Sequence, residues 1–160
     1  MTDRAWLHEI AALPGPDPAG PVAAALRDLV LDTVAIAAGA RLRRTGATAA
    51  DTATVAPLPP GKAQIWGAKP ATGPAQAAFL NGTAAEVLDF QEVLIDGRNN
   101  GHAAVVIVPA LIGLAQARGI FGPRLLAGLD AAFVANLVLM RVLGRGHREG
   151  EPGFRTTSLG

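Results

Sequence analysis

Apolar residues recur at helical spacing through most of the chain, and Gly and Pro punctuate the runs. In 2–13, Trp6, Leu7, Ile10 and Leu13 fall on one side of a short helix that Thr2 or Asp3 is placed to cap. The segment 14–20 carries three prolines and two glycines and reads as a turn-rich linker. A second helix is predicted over 21–38, with Pro21 suited to its first position and Gly39 to its stop. Leu26, Leu29, Val30 and Val34 form its apolar side, and Arg27, Asp28 and Asp32 its polar stripe. The stretch 40–60 is weakly patterned: 45–55 is compatible with a short helix that Pro57, Pro59 and Pro60 end. Alternation over 62–66 predicts one extended segment.

The second half is more strongly patterned. A small-residue helix is predicted over 73–90, interrupted or kinked near Asn81-Gly82, followed by a polar loop over 91–101. The segment 103–118 is apolar almost all round, so it belongs at the centre of the molecule. Pro109 must kink that helix or mark its true first turn, and Gly119 stops it. A long helix then runs from Gly122 or Pro123 to Leu143, and 144–160 is a polar, glycine-containing tail. The pattern predicts an all-α helical bundle in a single domain over 1–160, with at most one or two very short strands.

Composition narrows this further. Half of the 160 residues are apolar but only 4% are aromatic, so the core must be built from Ala, Leu and Val. Small side chains let helices approach closely. The net charge is +1 with scattered arginines, which argues against a nucleic-acid surface. There is no cysteine, hence no disulfide framework and no thiolate chemistry; this fits a cytoplasmic location. The N-terminus has no long apolar signal-like region. The longest uncharged apolar run, 103–115, is shorter than the ~20 residues a bilayer span needs. The next apolar stretch carries Asp130, Asn136 and Arg141, so a buried helical hairpin is expected rather than a membrane one.

Candidate chemistry gathers around 81–110. Asp89 and Glu92 lie three apart at an expected helix end, where paired carboxylates raise one another's pKa enough for acid–base work; a solvated helix terminus is the plainer reading. His102 stands alone among small residues at the mouth of an apolar helix, placed either for proton transfer or for a structural hydrogen bond. Arg98 and Arg155 are placed to clamp a carboxylate, or are simply solvated. No ligand spacing for a metal and no glycine-rich phosphate loop is present.

Several motifs resemble the MmgE/PrpD family, which includes 2-methylcitrate dehydratases and cis-aconitate decarboxylases. Leu29-Val30-Leu31-Asp32-Thr33-Val34 with Gly39 is similar to the family's second helix, and Ala63-Gln64-Ile65-Trp66-Gly67 to its short extended segment. Ala77-Ala78-Phe79-Leu80-Asn81-Gly82-Thr83-Ala84 resembles its small-residue helix, and Leu88-Asp89-Phe90 the start of its acidic motif. His102 with Ile107-Val108-Pro109-Ala110 resembles its histidine–proline motif, Gly122 with Leu125-Leu126-Ala127 its next helix, and Gly153-Phe154-Arg155-Thr156-Thr157 a later motif. The resemblance implies a metal-free and cofactor-free proton transfer next to a carboxylate, with Asp89 and His102 at active-site positions. It also exposes departures. The family usually has His at the position of Glu86, Asp or Asn at Gln91, Asp at Glu92, Thr or Ser at Val93, Pro-Ser at Ala103-Ala104, Glu at Val134 and His at Arg155.

Family members are longer than this chain, so the resemblance implies a helical domain that is incomplete by itself. The expected function is therefore one subunit of a split lyase or isomerase. Asp89, His102 and Glu92 would act as catalytic groups, with Arg98 and Arg155 binding a small carboxylate or natural-product acid. A complementary protein chain would complete a homo- or hetero-oligomer by covering apolar helix faces. The alternative is a pseudoenzyme: an interaction subunit of the same fold, favoured by the changes at 86, 93, 134 and 155. A gene fragment with no function of its own is the third possibility.

Overall fold

The computed structural model describes residues 5–43, 58–69, 71–96 and 99–144. Over these the chain is all-α, as the pattern predicts. Its helices are α1 (Ala5–Ala11), α2 (Pro21–Leu42), α3 (Pro74–Glu86), α4 (Ala104–Arg118) and α5 (Pro123–Gly144). The strand segments are very short: β1 (Pro60–Ala63), β2 (Leu94–Asp96) and β3 (Asn99–Gly101). The possible helix at 45–55, the tail beyond 144, and both Arg98 and Arg155 lie outside the described residues.

The helix starts follow the sequence. Pro21 and Pro74 open α2 and α3 immediately after a glycine in extended conformation, where the missing N–H costs nothing. Gly119 adopts the left-handed conformation that ends α4, at φ +66. Two expectations are corrected. Gly39 does not stop α2, which continues to Leu42. Ala40 and Arg41 are buried, and the Arg41 guanidinium donates to the Leu80 carbonyl, so tertiary contacts carry the helix one turn past the glycine. Nor is α3 interrupted at Asn81-Gly82. It runs unbroken to Glu86 and stops four residues short of the expected end at Phe90.

Asn81 is buried because it serves the extended segment before α3. Its Oδ1 accepts from the Trp66 N–H at 2.9 Å, and its Nδ2 donates to the Gln64 carbonyl at 2.9 Å. One amide thus satisfies two backbone groups of a segment that has no full strand partner. The regular part of that segment is β1, earlier than the alternation over 62–66 indicates, and among the described residues its strand-type pairing is limited to bridges to Thr72. Ile65 and Trp66 leave strand geometry and turn into the core.

Helix α4 is central, packing on α3, α2, α5 and β1. Ala84, Ala85, Ala104, Val105 and Val108 form the seam with α3, and Leu26, Ala37, Trp66 and Leu129 extend the same core. Helix α5 is less enclosed than a buried hairpin would be. Leu129 and Met140 are buried, most of its other residues are half-buried, and Val138 and Leu139 are exposed. Its stretch Pro123–Arg141, with mean hydropathy 1.4, is long and apolar enough to cross a membrane by length and composition alone. Asp130, Asn136 and Arg141 fall within it.

Candidate functional site

Helices α3 and α4 form an antiparallel pair joined by residues 87–103. A Cβ built on Gly82 would lie 2.7 Å from the Val105 carbonyl oxygen, and one on Gly113 would lie 2.9 Å from that of Pro74. The absence of side chains at 82 and 113 therefore sets how closely the two helices approach. Along the outer side of this seam runs a groove of about 550 Å³. Ala78, Phe79, Gly82, Thr83, Glu86 and Val87 line one wall, and His102, Val105, Val106 and Ala110 the other.

The connection between the helices contains a hairpin that a polar loop over 91–101 did not anticipate. Leu94 pairs with Gly101, Ile95 with Asn100 and Asp96 with Asn99, antiparallel. The hairpin brings the chain back so that Glu92 and His102 are neighbours. His102 Nδ1 lies 2.6 Å from the Glu92 backbone carbonyl. The Glu92 side chain reaches on to the start of α4, where Oε1 accepts from the Ala104 N–H at 2.6 Å. That carboxylate satisfies one of the free first-turn donors of a helix that has no side-chain cap of its own.

Asp89 and Glu92 do not share a helical face, because α3 has already ended at Glu86. Asp89 is exposed, with its backbone in the left-handed region at φ +54 and its N–H bonded to the Glu86 carbonyl at 3.1 Å. Glu92 turns inward instead. Burial pushes its carboxyl above the ordinary glutamate value of 4.5, opposed by the Ala104 N–H and by the His102 charge. Desolvation rather than carboxylate pairing is thus the larger influence. Its Oε2 is buried with no hydrogen-bond partner among the described residues.

Of the groups singled out in the sequence, His102 lines the groove, Glu92 holds His102 and caps α4, and Asp89 is not among the lining residues. Glu86 is, and sequence reasoning treated it only as a departure from a family pattern. Its Oε2 accepts from Gln91 Nε2 at 2.9 Å, closing the turn around Asp89. The signal for Glu86 was its place one turn beyond Gly82-Thr83 on the same helix face. No group of three or more His, Asp or Glu side chains among the described residues is placed to hold a metal ion.

A second cavity, about 510 Å³, lies between α2 and α5 against Val30, Val34, Leu126 and Leu129. Arg27 stands at its edge, donating to the Pro18 carbonyl at 2.7 Å.

No solved structure matches the chain. The model of the MmgE/PrpD N-terminal domain matches residues 6–160, nearly the whole sequence. With helix pair, extended segment and histidine placed as described, the chain belongs to the MmgE/PrpD family and corresponds to its N-terminal domain.

Proposed function

We propose that this domain supplies the proton-transfer wall of a lyase or isomerase acting beside the carbonyl or carboxylate of a small acid. Dehydratase- and lyase-like activity is what the MmgE/PrpD family is known for. The observation that carries the reading is the bond between His102 Nδ1 and the Glu92 carbonyl. A carbonyl oxygen only accepts, so Nδ1 carries the hydrogen. In the neutral ring Nε2 is then left with its lone pair, on a side chain that lines the groove.

In this reading His102 Nε2 removes the proton alpha to the substrate carbonyl. In an elimination, Asp89, on the exposed turn that follows Glu86 and outside the groove lining, delivers a proton to the departing hydroxyl, which leaves as water. Glu92 acts through His102 by fixing the ring and the first turn of α4. Arg98 and Arg155 are the candidates to hold the substrate carboxylate. A complementary polypeptide closes the groove, whose rim residues Phe79 and Val106 are exposed.

The test is exchange of the substrate's alpha proton with deuterated solvent, followed by NMR. Candidate acids, including 2-methylcitrate and cis-aconitate, are offered to the chain with and without its partner polypeptide. His102→Gln should slow exchange by about two to four powers of ten, and Asp89→Asn should slow elimination while leaving exchange intact. Exchange that is unaffected in His102→Gln sinks the reading.

A second reading has its own observation. Positions 86 and 91 both depart from the family pattern, and Glu86 and Gln91 are hydrogen-bonded to each other. That is how two former site positions would be converted to a structural pair, as in a non-catalytic interaction subunit. On this reading neither substitution changes the turnover of the assembled complex.

A further inference from the structure

We infer that the groove between α3 and α4 takes the apolar body of an amphipathic acid or ketone, whose carbonyl end meets His102, rather than a compact polycarboxylate. The inference rests on the proton-transfer reading of His102 and names the substrate class for it.

Polarity is graded along the groove. Because α3 and α4 run antiparallel, the C-terminal end of one and the N-terminal end of the other share one end of the seam. Glu86 and His102 lie there, whereas Ala78, Phe79 and Ala110 lie at the other end. Eight residues of α3 separate Glu86 from Ala78, about 12 Å of helix. Phe79 is 63% exposed and Val106 47%, so both walls of the apolar stretch present carbon to water. Covering such walls with a hydrophobic substituent is favourable. The groove's volume of about 550 Å³ falls in the range of small-molecule sites.

A polycarboxylate meets the opposite conditions. The carboxylate of Glu86 at the polar end repels any anion, so a polycarboxylate meets it with two or three charges and a monocarboxylate or ketone with one or none. Beyond it, only Thr83 among the described lining residues offers a polar side chain between His102 and the far end. Two or three carboxylates lying along Phe79, Val106 and Ala110 would meet no hydrogen-bond donor from these side chains and would leave their carbon uncovered. A single carbonyl head at His102 avoids that cost.

The test is titration of the labelled full chain, followed through its backbone amide resonances, with decanoate and separately with tricarballylate, which has three carboxylates and no apolar tail. Decanoate should shift Gly82, Thr83, Val106 and Ala110 saturably, and tricarballylate should shift none of them at the same concentrations. Ala110→Trp fills the apolar end from an exposed helical position and should weaken decanoate by about tenfold or more without changing the thermal melt. Should that variant not fold, Phe79→Ser removes a wall without adding bulk and must weaken decanoate as well. His102→Gln, which keeps a polar head at the same end, should hold decanoate affinity within about threefold while slowing alpha-proton exchange of the candidate acids by about two to four powers of ten. Normal decanoate binding without exchange on any acid leaves the groove assignment standing and removes the proton-transfer reading. Exchange with no decanoate response in the groove does the reverse. The inference is also overturned by tricarballylate shifting the His102 end, or by decanoate shifts confined to the α2–α5 cavity. Concentration-dependent broadening of the groove amides that decanoate does not reverse would assign the groove to a second copy of the chain, and overturns it too.

Discussion

Gly82 lies against the carbonyl oxygen of Val105, with room for no atom between them: a Cβ at 82 would approach it to 2.7 Å. That carbonyl is also the one that Pro109, inside α4, leaves without its helical N–H donor. The helix that gave up a backbone bond therefore turns the freed acceptor toward the place where its neighbour has no side chain. A weak Cα–H contact is all that can form there, and the close approach brings the walls of the groove together.

Substitution at 82 should show this directly. Gly82→Ala should destabilise the fold by about 1–3 kcal/mol, because the obstacle is backbone and cannot swing away. Gly39→Ala and Gly128→Ala provide the controls. Both are helical positions with nothing within 4 Å of the added carbon, and each should gain about 0.5–1 kcal/mol from helix propensity. Urea unfolding midpoints distinguish the three.

The Asn81 clamp predicts a different loss. Asn81→Leu keeps the branching at Cγ but strands the buried Trp66 N–H, costing about 1–3 kcal/mol. In a Trp6→Phe background, the Trp66 emission should shift to the red as the segment loosens. An unchanged midpoint and emission would mean that the segment is held by its apolar side chains alone.

Asp89 stands in the left-handed region at φ +54, a conformation costing about 1–2 kcal/mol for most L-residues and less for Asp and Asn. Asp89→Val should therefore lower stability, Asp89→Asn should leave it nearly unchanged, and Asp89→Gly should match or exceed the wild type. Thermal melts that rank Val above Gly would contradict the backbone geometry.

Glu92 makes stability depend on pH with a definite sign. Its carboxyl is held above the ordinary value of 4.5 by burial, so the folded state binds the proton more tightly than the unfolded chain does. Its contribution is fully present below about 4.5 and is lost as pH rises through the folded value. Glu92→Gln retains an oxygen to accept from Ala104 N–H and has no charge to desolvate. The melting temperature of the variant, relative to wild type, should rise between pH 4 and pH 7; a difference that is flat across this range would show that Glu92 is effectively solvated.

Much of the architecture was legible in the residues. The Gly-Pro starts of α2 and α3, the Gly119 stop and the apolar helix over 104–118 depend on backbone sterics and on solvent exclusion, which act locally or by composition. The family pattern was equally legible, because it resides in short motifs around Asn81, Asp89 and His102. Tertiary structure decided the rest. Gly39 and Gly82 look like breaks in a linear reading, but one is carried by Arg41 bonding across to Leu80 and the other is a point of helix contact. Asp89 and Glu92 look like a pair at helical spacing, yet the helix ends first. The hairpin then turns Glu92 toward His102 and α4 while Asp89 remains exposed. Spacing along a chain fixes which side chains can be neighbours only while the backbone stays regular. Where it turns, the partner is chosen by which distant N–H or carbonyl needs one, and that is a property of the assembled fold.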